Sequence, residues 1–236
     1  MGVPVNQPAR LLSGIGTVDT TMPLKDYPLP DPFHTCNNAS KSIRQCIVSY
    51  ENDFTTLIGT DYTVTGTSST FALTNFLGGA AVLTPGAATT ASSAYKIGEF
   101  LQFNAGARLW YQVRFAISAF ATGLSAYVGL QEGATTTEGL WFAVSATGVV
   151  SLVSTIGGTP TTLAANLFTM TAGVMADFAF VYDGVDLLVY ANSVLTARVP
   201  GATLSAALLT PVYQITPTAS QTLTVDYCQA SVEVAR

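Results

Sequence analysis

The sequence predicts an all-β protein, a sandwich or barrel of antiparallel strands behind an extended arm. Three observations carry this. From Tyr50 onward, short runs rich in Val, Ile, Tyr, Phe and Thr recur about every ten residues, with Gly and Thr clusters between them. No window supports a helix longer than a turn or two. The first fifty residues hold six of the eleven prolines. Each proline removes a backbone donor and fixes φ, which disfavours helix interiors and central strands alike.

The arm, residues 1–50, is kept extended by Pro4, Pro8, Pro23, Pro28, Pro30 and Pro32, yet Leu11, Leu12, Ile15, Tyr27 and Phe33 are dispersed through it. An extended apolar strap needs a surface to lie on, either a neighbouring subunit or its own domain. Toward its end NNASKSIRQCI (37–47) has the makings of a short helix capped by Asn38 or Ser40. Residues 51–236 then make one domain, long enough to bury a single sizeable core. Strands are expected near 61–65, 70–77, 95–103, 108–119, 124–131, 139–146, 149–155, 174–182, 185–191, 194–199, 208–216 and 221–234. Between them, AAVLTPGAATTASSA (80–94) reads as a loop, from its Pro85-Gly86 turn signal and its small residues. Asp183-Gly184 and Asn192-Ser193 read as hairpin turns, because these residue types tolerate the positive φ of tight turns between twisted strands.

Two strands divide cleanly into faces. In RLWYQVRFAIS, Leu109, Tyr111, Val113, Phe115 and Ile117 point to the core and Trp110, Gln112, Arg114 and Ala116 away from it. In LSAYVGLQ, Leu124, Ala126, Val128 and Leu130 point inward, leaving Ser125, Tyr127, Gly129 and Gln131 outside. Pairing of these two strands would place Trp110, Arg114, Tyr127 and Gln131 on one exposed surface, an oligomer interface or a glycan-binding face, with Trp141 a further aromatic candidate.

Composition narrows the partners. Half the chain is hydrophobic, 49%, and only 10% is charged, against about a quarter in ordinary domains. Such a weakly solvated surface favours coverage by partners and self-association. The net charge is −5; Arg10, Lys25, Lys41 and Arg44 against Asp19, Asp26 and Asp31 give the arm +1, which leaves −6 on the body. No Lys/Arg cluster exists to neutralise phosphates, so direct nucleic-acid binding is not expected. No apolar run approaches the roughly 18 residues of a membrane helix, and Met1–Gln7 has no leader-like pattern. Cytoplasmic synthesis and reduced Cys36, Cys46 and Cys228 follow as expectations.

Catalytic inventory is poor. His34, the one histidine, sits in the arm without orienting partners. Cys36 and Cys46 lack the further ligands a zinc site requires. Among Glu51, Glu99, Glu132, Glu138 and Glu233, only Glu51 has an acidic residue two or four positions away, Asp53, and that pair lies outside the expected strands, so no strand aims two carboxylates into one groove. Asp183 and Asp186 flank a turn and serve its geometry rather than a calcium site. No glycine cluster matches a phosphate loop. The reading is a non-enzyme without metal or cofactor.

Taken in order, YENDFTTL (50–57), WYQVRFAIS (110–118), GLWFAVSATGVVSLV (139–153), FAFVYDGVDLLVYANSVLTARV and the closing TLTVDYCQASVEVAR resemble the concanavalin-A-like jelly roll, in particular versions found in virion structural proteins of tailed bacteriophages. The resemblance covers residues 50–236. It implies an antiparallel two-sheet jelly roll in which the opening Asp-Phe strand lies near the closing VDY strand. The expected role is capsid decoration: a cement protein on the capsid exterior, bound to the major capsid protein through its arm, and a trimer if it occupies threefold positions. The alternative is a tail or surface module that recognises host polysaccharide. The glucanase acidic motif and the metal loop of legume-type lectins, both known in this fold, are absent.

Overall fold

The computed structural model describes residues 45–74, 79–87, 89–104 and 107–235. The arm candidates Leu11, Leu12, Ile15, Tyr27 and Phe33, together with His34 and Cys36, lie outside the described residues. Fifteen strands are described: β1 (Gln45–Asn52), β2 (Tyr62–Thr65), β3 (Thr70–Leu73), β4 (Ala81–Thr84), β5 (Ser92–Lys96), β6 (Leu109–Ile117), β7 (Ser125–Gln131), β8 (Gly139–Val144), β9 (Val149–Ile156), β10 (Thr159–Thr169), β11 (Ala176–Tyr182), β12 (Leu187–Ala191), β13 (Val194–Val199), β14 (Thr210–Thr216) and β15 (Leu223–Ala235). The helical content among described residues is one 3₁₀ turn, Gly59–Asp61.

All pairings are antiparallel and build two sheets. The eight-stranded sheet runs β13-β12-β11-β6-β15-β4-β3, with β1 also on β15. The seven-stranded sheet runs β10-β9-β8-β7-β14-β5-β2. Their inner faces meet in one core. From β6, Leu109, Tyr111, Val113, Phe115 and Ile117 are fully buried, and from β7 Ala126, Val128 and Leu130, as the alternation requires. Aromatic pairs fill the core: Tyr111 stacks on its cross-strand neighbour Phe180 at 5.1 Å, and Phe178 of β11 meets Phe142 of β8 from the opposite sheet at 5.2 Å. Each large apolar side chain so buried contributes about 1.5–3 kcal/mol relative to exposure.

The hairpin punctuation works as expected. Gly184 has φ +99°, and Asn192 and Ser193 have φ +47° and +65°. The Asp183 carboxylate accepts from the Val185 and Asp186 amides at 3.0 and 2.8 Å. Asp186 in turn accepts from the Gly201 amide at 2.9 Å and from the Arg198 guanidinium, with Nε at 3.0 Å. Both aspartates therefore serve turn and strand geometry.

Several expectations need correction. β1 begins at Gln45, inside the stretch assigned to the arm, so residues 45–47 of the expected helix are strand; they pair along β15, from Gln45 opposite Ala235 to Asn52 opposite Cys228. The 80–94 loop contains β4 and the start of β5. Of the strand expected over 95–103, β5 stops at Lys96 and Leu101 makes only an isolated bridge to Leu209. β10, rich in Thr, Ala and Asn, was not anticipated. It has no apolar alternation, because it is an edge strand with two register shifts that leave most of it exposed.

Candidate functional site

The outer face of the seven-stranded sheet carries a cavity of about 510 Å³. Register explains what lies there. One row across the sheet runs Gln214, Tyr127, Ala143; the next Gly129, Trp141, Val153, Thr162; the third Gln131, Gly139, Thr155, Pro160. These are the outward positions of β14, β7, β8 and β9, continued onto β10. Gly158 and Thr136 close the rim. The wall is braced: the Gly157 amide donates to Glu138 Oε1 at 2.7 Å and the Gly158 amide to the Thr137 carbonyl at 2.9 Å, tying the β9–β10 turn to the β7–β8 loop. Hydrogen bonds from Ser205 and that Gly157 amide hold the Glu138 carboxyl below the usual carboxylate range.

Trp141 lies in the middle of this floor because two glycines admit it. A Cβ on Gly139 would meet Cζ2 and Cε2 of the indole at 2.4 and 2.8 Å, so the ring lies down over the Gly139 row. Gly129, its cross-strand partner, has no room for a Cβ against the Leu140 carbonyl. Tyr127 packs edge-on against the ring at 6.1 Å. Trp141 is 4% exposed and Gln131 2%.

Two polar atoms in this floor lack partners: Trp141 Nε1 and Gln131 Oε1. The orientation of the Gln131 amide is set by its own hydrogen bond. Its Nε2 donates to the Gly133 carbonyl at 3.0 Å, and a carbonyl can only accept, so the oxygen is the free end. No Asp, Glu, Lys or Arg lines the cavity.

The shared surface expected from Trp110, Arg114, Tyr127 and Gln131 is not formed. β6 and β7 belong to opposite sheets, since the chain crosses the sandwich over residues 118–124. Tyr127 and Gln131 stay together and are joined by Trp141. Trp110, 4% exposed, and Arg114 lie on the other outer face. There Arg114 Nη1 pairs with Asp226 at 3.1 Å, and the Tyr227 hydroxyl donates to Asp177 at 2.7 Å while accepting from Gln112. Burial, then that Asp177 contact, pushes the Tyr227 phenol well above its ordinary range. Sequence reasoning missed Gln214, although PVYQIT alternates and turns it outward. It also missed Pro160 and Thr162, which lie on the unanticipated strand. Among the described residues no three His, Cys, Asp or Glu side chains converge as a metal site would require, and no helix is long and apolar enough to cross a membrane.

No family model matches the chain, and no curated protein does. Solved structures do. The potassium-bound carbohydrate recognition domain of Emp46p is 13% identical, with 76% of this chain and 94% of that one covered at a TM-score of 0.54. A β-glucanase of Bacillus licheniformis is 10% identical, with 77% and 97% covered at 0.57. A protein of unknown function from Shewanella oneidensis MR-1 is 13% identical, with 81% and 87% covered at 0.57. At such identities the likeness is one of architecture: this chain is a concanavalin-A-like jelly roll.

Proposed function

We propose that the protein is a glycan-binding module whose ligand occupies the groove on the outer face of the seven-stranded sheet. The observation that carries this is the lining itself: aromatic Tyr127 and Trp141 beside amide and hydroxyl groups of Gln131, Gln214, Thr155 and Thr162, with no charge. Aromatic faces bury the apolar C–H patches of a sugar while fixed polar groups take its hydroxyls. The presence of carbohydrate recognition domains among similarly folded proteins supports the reading. A glucanase shares the fold as well, but binding is favoured over hydrolysis here because no pair of carboxylates faces the cavity. Glu132 and Glu138, on the adjoining loop, are engaged with Thr135 and Thr137 and with Gly157 respectively.

The setting comes from the sequence resemblance: a tail or surface component of a virion, with the groove turned toward host polysaccharide. A cement protein bound to a capsid lattice has no need of such a groove, so the groove favours recognition over decoration. The test is a glycan array probed with the purified protein, followed by titration of the best binder. Parent protein is expected to retain at least one glycan, and Tyr127→Ala, which removes the side wall, to weaken it by about tenfold. Failure of every glycan to bind would remove this reading.

A further inference from the structure

We infer that the groove selects uncharged glycans, and that one ligand hydroxyl is held between Trp141 Nε1 as donor and Gln131 Oε1 as acceptor. The inference rests on the glycan-binding reading and specifies its ligand.

The two free atoms are buried on one floor, in adjacent rows of the sheet. The indole Cε2, bonded directly to Nε1, lies over Gly139, and Gly139 is the cross-strand partner of Gln131. The free donor is thereby brought over the row that holds the free acceptor. A buried polar group without a partner is costly, and a ligand that supplies the missing partner recovers that cost on binding. One free donor and one free acceptor call for a group that both accepts and donates. A sugar hydroxyl does this with a single oxygen.

Charged ligands fit worse. A carboxylate or sulfate only accepts: it would satisfy the indole N–H but set its own oxygens against Gln131 Oε1. An ammonium only donates and would face the indole N–H. Neither finds an opposite charge, since the lining has none, and an ion that enters such a site loses its hydration without compensation. The net charge of −5 adds a general bias against polyanions. The bracing of the floor suits selection, because the Gln131 amide is oriented by Gly133 before any ligand arrives.

The experiment compares two panels at 150 mM salt. One holds neutral gluco-, manno-, xylo- and N-acetylglucosamine oligomers; the other holds polygalacturonate, alginate and heparin fragments. The best neutral binder is then remade as a set of single deoxy analogues and titrated against the parent protein and Trp141→Phe, which removes the N–H and keeps a ring. Thermal melting confirms that the variant is folded. Neutral oligomers alone are expected to bind, one deoxy analogue is expected to lose about tenfold with the parent, and the same analogue is expected to lose little more with Trp141→Phe. Anionic fragments binding as tightly as neutral ones would overturn the selectivity. Equal deoxy losses in both proteins would overturn the hydroxyl bridge. Both results leave the glycan-binding reading standing, whereas binding of neither panel overturns that reading and this inference with it.

Discussion

Cys228 shows how one residue's surroundings set its chemistry. It is fully buried on the core side of β15, and burial pushes its thiol up from an ordinary 9.0 to about 12. Its polar neighbours are the Tyr111 and Tyr213 hydroxyls, themselves buried and without a sound hydrogen bond. Close by, Tyr50 and Tyr62 hydroxyls bond to each other, and Asn52 donates to Tyr62 at 3.0 Å. Burial raises all four phenols, Tyr62 to about 12. The folded state therefore keeps protons that the unfolded chain releases as pH climbs past about 9. Stability from this cluster is complete below that pH and is lost as pH rises toward 12 and beyond. Denaturant midpoints from pH 7 to 11 should be level at first and fall above 9, and Cys228→Ser should move the onset; a flat profile to pH 11 would contradict the burial argument. A thiol so protonated is also inert. Iodoacetamide at pH 8 should leave Cys228 unlabelled in the native protein over an hour and label it promptly in guanidinium.

At the level of the strand, glycine placement shapes the groove floor. In Gly139→Ala the new methyl meets the Trp141 ring and the Leu130 carbonyl at 2.7 Å. Overpacking of this kind costs about 1–3 kcal/mol, and here it should lift the indole into the cavity. A lowered denaturant midpoint together with weakened ligand binding is expected; unchanged binding would mean the ring does not form the floor. The strands themselves were largely legible. β6, β7, β8, β11 and β12 carry strong alternation or apolar runs, and the inward residues read for β6 and β7 are all buried. β4 was hidden because Ala81 and Leu83 face the core within only four residues, beside Pro85-Gly86. β10 was hidden because it buries too little to need a pattern. The groove was half legible: the outward phase of Tyr127 and Gln131 is written in the alternation and Trp141 stands out only as an aromatic, since β8 is apolar and mostly buried on both faces, and which strands stand together is not legible at all. That depends on long-range pairing, so Trp110 and Arg114 were grouped with residues from the opposite sheet.

For the whole molecule, β1 decides where the domain begins. It runs beside β15 over eight residues; Tyr50 within it packs against the core, and Phe54, two residues past its end, is fully buried there. A chain starting at Lys41 should keep the sandwich, whereas one starting at Asp53 should lose it. Circular dichroism and cooperative melting would register the difference, and an unfolded Lys41 chain would show that residues 1–40 complete the core.

The placement of β15 has a further consequence, for synthesis. It is the last of the fifteen strands in order, yet it stands in the middle of the eight-stranded sheet, joined to β6 on one side and to β1 and β4 on the other. A nascent chain ending at Gln221 thus holds two unconnected pieces, β13-β12-β11-β6 and β4-β3, and β1 has no partner. At about 5–20 residues per second, translation from Ile117 to Leu223 would expose the bare edge of β6 for about 5–20 s before the strand that covers it begins to leave the ribosome. Folding can be completed only after Leu223–Ala235 emerges, so incomplete chains are the population most open to aggregation and most dependent on chaperones.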